Sequence, residues 1–202
     1  MDHNNILGVV LAGGKSKRFG KDKTQVKLGN KILIDYILSE IIDEFNEILI
    51  VSNNKINFLL SNKISLIKDL KEGLGPLGGI LSAMKWIKKN NKNYKWISTF
   101  PSDTPFFTKK QLKNFYKKIK LNQSNLFFIK NKSSRHNIFG LWSLDLIDKL
   151  EADLLKGERK VELWANSVGV NLINIESENI DPFMNINTKD DLEKAKKIKD
   201  YD

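Results

Sequence analysis

Val9-Val-Leu-Ala-Gly-Gly-Lys-Ser-Lys-Arg-Phe-Gly-Lys-Asp-Lys23 decides how the rest of the chain is read. The apolar run from Ile6 to Leu11 stops at Gly13-Gly14, and Lys15, Lys17, Arg18, Lys21 and Lys23 follow. A buried strand that opens into a glycine-rich, basic turn can cradle a polyphosphate. Glycine lets backbone N–H groups approach the phosphates, and the cations offset their charge. The spacing rules out the two commonest phosphate loops. Gly14 and Gly20 have five residues between them, and Asp22 follows Lys21 where a Walker loop needs a hydroxyl. The dinucleotide fingerprint G-x-G-x-x-G is absent. The stretch therefore reads as a phosphate loop of another type, set against the plainer reading of a strand followed by a solvated basic turn.

Working outward, short apolar runs at 6–11, 47–52, 65–68, 96–100 and 126–130 read as strands, mostly buried on both faces. Helical patterns lie between them. In 31–45, Ile34, Ile37, Leu38, Ile41, Ile42 and Phe45 follow three-four spacing, as do Leu77 to Ile87 and the set Leu112, Phe115, Tyr116, Ile119. Thr108 with Gln111, and Thr188 with Asp191, have the form of helix-start capping pairs, and Ser143 stands where it could cap a helix carrying Leu144, Ile147, Leu150 and Leu154. Alternating strands and helices predict an α/β fold: a mainly parallel, Rossmann-like sheet in three layers, with helices on both faces. Such sheets bind ligands beyond the carboxyl ends of their strands. That rule puts the 12–23 loop, Asp69 and Asp103 on one edge.

The chain has 202 residues, 41% hydrophobic and 29% charged, which suits one globular domain with a full core. No apolar run approaches the roughly 20 residues that span a bilayer. No signal peptide is visible after Met1-Asp2-His3. The sequence holds no cysteine, which excludes disulfides and thiolate chemistry and fits the cytoplasm. The net charge of +10 invites a polyanionic partner. The lysine pairs at 88–89, 109–110, 117–118 and 196–197, however, fall on separate predicted helices. They read as solvated faces rather than as a nucleic-acid surface.

Asp103 sits in Phe100-Pro-Ser-Asp-Thr-Pro-Phe106. One carboxylate at a strand end suits magnesium, which takes few carboxylates and keeps water and phosphate oxygens; alternatively, Asp103 bonds only its own turn. Asp69 ends another strand and leads to Gly75-Pro-Leu-Gly-Gly79, where Pro76 suits a first helical turn and the glycines permit close backbone approach to a base or sugar. Asn53 and Asn54 follow a strand and could bond a base. His136 could touch a second substrate or be structural. No histidine pair has metal spacing, and no serine sits in a nucleophile elbow.

Leu11-Ala12-Gly13-Gly14 with Arg18, Gly20 and Asp22-Lys23 resembles the signature of the sugar-nucleotide-type nucleotidyltransferases. Gly75-Pro-Leu-Gly-Gly-Ile80, Ser102-Asp-Thr-Pro-Phe106, Gly157-Glu-Arg-Lys-Val161 and Asn185-Ile-Asn-Thr188 narrow the resemblance to molybdenum cofactor guanylyltransferases, which join GMP to molybdopterin. The resemblance runs from Val9 to about Leu192. It implies a single domain over 1–202, with a nucleotide-binding part to about residue 107 and an acceptor part from about 108. It implies that main chain at Leu11, Ala12, Gly13 and Gly14 holds the nucleotide and that Asn54, or else Asn53, meets guanine. Asp69 would contact the nucleotide, Lys23 its phosphates, and Asp103 would bind Mg2+. Arg18, Lys23 and Asp103 would be catalytic. Asn185, Asn187 and His136 would face the pterin, although the His-Pro usual in the family is here His136-Asn137. GTP and molybdopterin are the implied substrates, with a molybdoenzyme or an accessory GTPase as a further partner and neither membrane nor nucleic acid. The competing expectations are a related CTP- or sugar-phosphate-using enzyme and a non-catalytic nucleotide- or RNA-binding module.

Overall fold

Among the described residues nine strands and six α-helices carry the fold: β1 (Ile6–Leu11), β2 (Lys27–Leu28), β3 (Lys31–Ile32), α1 (Leu33–Ile41), β4 (Ile48–Val51), β5 (Ile64–Ile67), α2 (Gly75–Lys89), β6 (Trp96–Pro101), α3 (Lys109–Lys118), β7 (Leu126–Asn131), β8 (Ser134–Ser143), α4 (Ile147–Leu155), α5 (Val161–Val168), β9 (Asn171–Asn174) and α6 (Lys189–Lys199). They come from a computed structural model that describes residues 3–13, 26–56, 61–132, 134–177 and 180–199.

Seven strands form one sheet in the order β5-β4-β1-β6-β8-β7-β9. The β5-β4, β4-β1, β1-β6 and β7-β9 pairs are parallel. β8 runs antiparallel to both its neighbours, so the mainly parallel expectation holds with one reversed strand. Alternation along each strand sends side chains to opposite faces. Ile6, Val10, Ile48 and Ile50 join Ile34, Ile37, Ile41 and Phe115 in a core under α1 and α3. Leu7, Val9, Leu49 and Val51 join Leu77, Ile80, Met84, Leu150 and Trp164 under α2, α4 and α5. Burial on both faces explains why these strands read as unbroken apolar runs.

Both predicted capping pairs are present. Thr108 and Gln111 form a capping box at α3. Asp191 accepts from Thr188 N–H at 2.9 Å and donates its own N–H to Thr188 Oγ1 at 3.1 Å, opening α6. Ser143 caps a single 3-10 turn, Leu144–Leu146, which leads into α4. The helix predicted over 31–45 is shorter, because Lys31 and Ile32 pair back on Lys27 and Leu28 around a turn with Gly29 at φ 61°. β8, β9 and α5 are additions to the predicted elements.

One irregularity shapes the far half of the sheet. Phe128 pairs with Gly140, yet the next residue, Ile129, pairs with His136, so Asn137, Ile138 and Phe139 bulge out of β8. Buried Thr99 pins the bulge: its hydroxyl donates to Ile138 O at 2.5 Å and accepts from Trp142 Nε1 at 2.8 Å. Only glycine fits at 140, since a Cβ there would stand 2.5 Å from the Phe128 ring and 2.9 Å from Phe127 O.

Candidate active site

Ile67, Val51, Leu11 and Pro101 are register neighbours across four parallel strands, so β5, β4, β1 and β6 end in one row. Pairing continues one residue past each end: Ala12 N–H donates to Val51 O (2.9 Å), Ser52 N–H to Ile67 O (2.9 Å) and Ser102 N–H to Leu11 O (3.3 Å). The residues that follow, Gly13, Asn53-Asn54, Asp69 and Asp103, thus lie along one edge. Each sits where its strand stops supplying backbone partners, which is why sequence position alone located them.

On the β5 side of this edge the polar groups are mutually satisfied. Asn53 Nδ2 donates to Asp69 Oδ2 at 3.2 Å, and Asp69 N–H donates to Asn53 Oδ1 at 3.0 Å. Burial pushes the Asp69 carboxyl above its ordinary range, the Asn53 bond pulls it back, and the nearby Glu72 charge adds to the rise. Buried Ser52 holds the next turn: its hydroxyl lies 3.1 Å from Ala12 O and accepts Asn54 N–H at 3.1 Å. Asn54 is exposed, while Asn53 is committed to Asp69.

The first turn of α2 closes over this corner. Pro76 stands at its start, as predicted. A Cβ on Gly79 would be 3.1 Å from Leu11 and 3.4 Å from Asp69 Oδ1, so glycine lets the helix pack directly on the strand ends. Ser82 ties the incoming loop down by accepting Leu70 N–H at 2.9 Å and donating to Gly78 O at 2.8 Å. The 157–160 segment reaches the same corner, with Arg159 O 3.9 Å from where a Gly75 Cβ would stand. Within that segment Glu158 accepts the N–H groups of Arg159 (2.7 Å) and Lys160 (2.8 Å), which hold its carboxyl below the usual range.

Asp103 follows β6 on the other side of β1, half-buried, ahead of the buried Thr104. Its carbonyl accepts Ile186 N–H at 2.9 Å. That bond brings the late Asn-x-Asn segment to the sheet edge: Ile186 is buried, and Asn185 and Asn187 on either side of it are exposed. His136 joins the same region by stacking on Phe183, with ring centroids 4.4 Å apart and planes at 28°. Burial lowers its pKa below the ordinary histidine value, opposed in part by the Asp181 charge. The structure thus gathers Leu11, Ala12, Gly13, Asn53, Asn54 and Asp69 at one corner and Asp103, Asn185, Asn187 and His136 at the next. Gly14, Arg18 and Lys23 lie outside the described residues. Sequence reading missed Ser52, Ser82 and the Asn53–Asp69 pair. For Ser52 and Asn53 the available signal was a polar residue just after a buried strand, which is shared with ordinary turns, whereas Ser82 lies inside α2 and carried no such signal.

Strand ends in a row, a helix start packed on them and an acid beside the glycine turn define a nucleotide-handling α/β protein. Residues 8–168 match the MobA-like NTP transferase domain, and the chain belongs to that family. It is a nucleotidyltransferase. A molybdenum cofactor guanylyltransferase of Rhizobium rhizogenes is 30% identical over 203 residues, covering 97% of this chain and 93% of that one. One from Haemophilus influenzae is 30% identical over 193 residues, covering 94% and 97%. The crystal structure of molybdopterin-guanine dinucleotide biosynthesis protein A from Archaeoglobus fulgidus shares the fold, with a TM-score of 0.73 at 24% identity over 97% of this chain and all of that one. Among the described residues no helix is long and apolar enough to cross a membrane.

Proposed function

We propose that the chain transfers GMP from GTP to molybdopterin. The acceptor's terminal phosphate oxygen attacks the α-phosphorus in line, a new O–P bond forms, the bond to the β-phosphate oxygen breaks, and pyrophosphate leaves. One observation carries this reading above all: the hydrogen bond from Ile186 N–H to Asp103 O joins the nucleotide edge to the Asn185–Asn187 segment. Two substrates that must react with each other need such a junction. The curated relatives that span nearly the whole chain carry the same activity in their names.

The residues divide accordingly. Main chain at Leu11 to Gly14 holds the nucleotide, Asn54 reaches the base, and Asp69 contacts the nucleotide from the α2 corner. Lys23 and Arg18 take the phosphates. Asn185, Asn187 and His136 face the acceptor. Asp103 fits magnesium: it is a half-buried carboxylate just past the end of β6, and magnesium takes few protein carboxylates and keeps water and phosphate oxygens. When bound, the ion would offset the repulsion between two polyanions. The chain itself supplies no nucleophile. It binds, aligns and neutralises.

The test is to incubate the protein with molybdopterin and each of the four nucleoside triphosphates, with and without magnesium. Dinucleotide and pyrophosphate are expected from GTP alone, and only with the divalent ion. Preference for CTP, or no pyrophosphate with molybdopterin, would overturn the reading.

A further inference from the structure

Buried polar atoms without a hydrogen-bond partner are rare in folded proteins, and each calls for an explanation. Among the described residues five such atoms lie on one hairpin: Asn131 Oδ1, Arg135 Nε and Nη2, His136 Nε2 and Asn137 Oδ1 are buried and have no partner there. The hairpin's bulged end lies at the edge where Asp103 turns away. β8 is antiparallel to β6 with Gly140 opposite Thr99, and with Asn137, Ile138 and Phe139 bulged out, His136 and Arg135 are the next two steps of the ladder, level with the last residues of β6. His136 points to the α1/α3 face, where it stacks on Phe183. Arg135 points to the other face, its guanidinium 5.1 Å from the centroid of buried Phe128.

Arg135 is the charged member of this group, and its setting is that of a half-built anion site. Nη1 donates to Asn166 Oδ1 on α5 at 2.7 Å, which fixes the plane of the guanidinium. The Nε–Nη2 edge, the fork that pairs with two oxygens at once, has no acceptor among the described residues. Lys130 is its cross-strand partner, so two cations stand opposite each other, an arrangement that disfavours the sheet unless an anion lies between them. Neither forms an ion pair among the described residues, and Glu162 on α5 is the one acid that acts on Arg135 through its field. Burial opposes the guanidinium charge here, so an incoming anion would relieve both the missing bonds and the missing countercharge.

We propose that Arg135, held by Asn166 and assisted by Lys130, binds the phosphate monoester of the acceptor through its Nε–Nη2 edge. The proposal rests on the reading of the chain as a guanylyltransferase and deepens it by naming the acceptor-phosphate contact. Asn185 and Asn187 then face the rest of the acceptor from the opposite side of the same edge.

The experiment compares wild type, Arg135→Gln and Arg135→Lys, with thermal unfolding confirming that each folds. Affinities are measured for GTP, for molybdopterin and for molybdopterin stripped of its phosphate. Wild type is expected to lose roughly 10- to 100-fold in affinity when the phosphate is removed, the scale of bonds to a charged group. R135Q is expected to bind the intact acceptor that much more weakly and to be indifferent to dephosphorylation. R135K, which keeps the charge but not the fork, should fall between them, and GTP affinity should not change in either variant. Equal sensitivity to dephosphorylation in wild type and R135Q would overturn the assignment, as would a loss of GTP affinity alone. If wild type neither binds nor converts molybdopterin, the guanylyltransferase reading fails first. If wild type converts it and R135Q binds it equally well, only the role of Arg135 fails.

Discussion

The two halves of the sheet edge are built on opposite principles. From β5 to β6 the strands are parallel and end together, and the polar groups beyond them pair with one another: Asn53 with Asp69, Ser52 with Ala12 and Asn54, Ser82 with Leu70 and Gly78. From β8 to β7 the pairing is antiparallel and bulged, and polar atoms at its end are left over. A corner whose hydrogen bonds are already closed is rigid before ligand arrives, which suits main-chain recognition of a nucleotide. A corner with open valences is completed by what binds there. The sharpest way to break this comparison lies at the junction. Asp103→Ala removes a carboxylate but keeps the carbonyl that holds Ile186 N–H. Pyrophosphate release should fall on the order of 100- to 1000-fold, the range for losing one charge-stabilising group, while the thermal midpoint hardly moves. Turnover near wild type would separate the acid from the chemistry.

The second prediction concerns stability on the bulged side. Gly140→Ala drives a Cβ to within 2.5 Å of the Phe128 ring, with Phe127 O at 2.9 Å limiting any backbone escape. Overpacking of this kind costs about 1–3 kcal/mol, so thermal unfolding should drop by several degrees. Gly79→Ala meets Leu11 at 3.1 Å and Asp69 at 3.4 Å, milder contacts on flexible side chains, and should cost less in denaturant titration. A larger loss at 79 than at 140 would reverse the picture of where the sheet is tightly constrained.

The same contrast explains what the sequence revealed. Ile6 to Leu11 and Ile48 to Val51 are apolar runs buried on both faces, and Trp96 to Pro101 is likewise buried through its middle with only Ser98 and Thr99 polar, so pattern and punctuation were enough to find them and the residues just beyond. The edge positions of Asp69 and Asp103 followed from that alone. β8 was harder to read, because Ser134 to Asn137 are polar and partly exposed and only Phe139 to Trp142 continue into the core. α5 carries just Val161, Trp164 and Ala165 inward over two turns, too short a pattern for a helical period to stand out. Arg135 has no motif around it. Its unpaired fork exists only because Phe128 and Asn166, from distant parts of the chain, converge on it.

The smallest effects are electrostatic and should carry opposite signs at the two corners. Asp69 has a folded pKa above its unfolded value, ordinarily 3.8, chiefly through burial. Its neutral form is therefore the one the fold favours, and stability contributed below 3.8 is lost as pH rises through the folded value. Asp69→Asn keeps the Asn53 bonds and removes that loss, so in the absence of nucleotide it should be slightly more stable than wild type at pH 7 and equal to it in strong acid. His136 is the reverse case. Its folded pKa lies below the ordinary 6.5, so stability present above that value declines as pH falls from 6.5 toward the folded pKa. His136→Phe keeps a ring on Phe183 and drops both the titration and the unpartnered Nε2. Its advantage over wild type should grow as the solution is acidified from pH 7 to pH 5, whereas the advantage of Asp69→Asn should grow as pH rises from the acid range. Melting curves of the three proteins across that range would show the two trends crossing. Parallel trends would mean that one of the two corners is not buried as described.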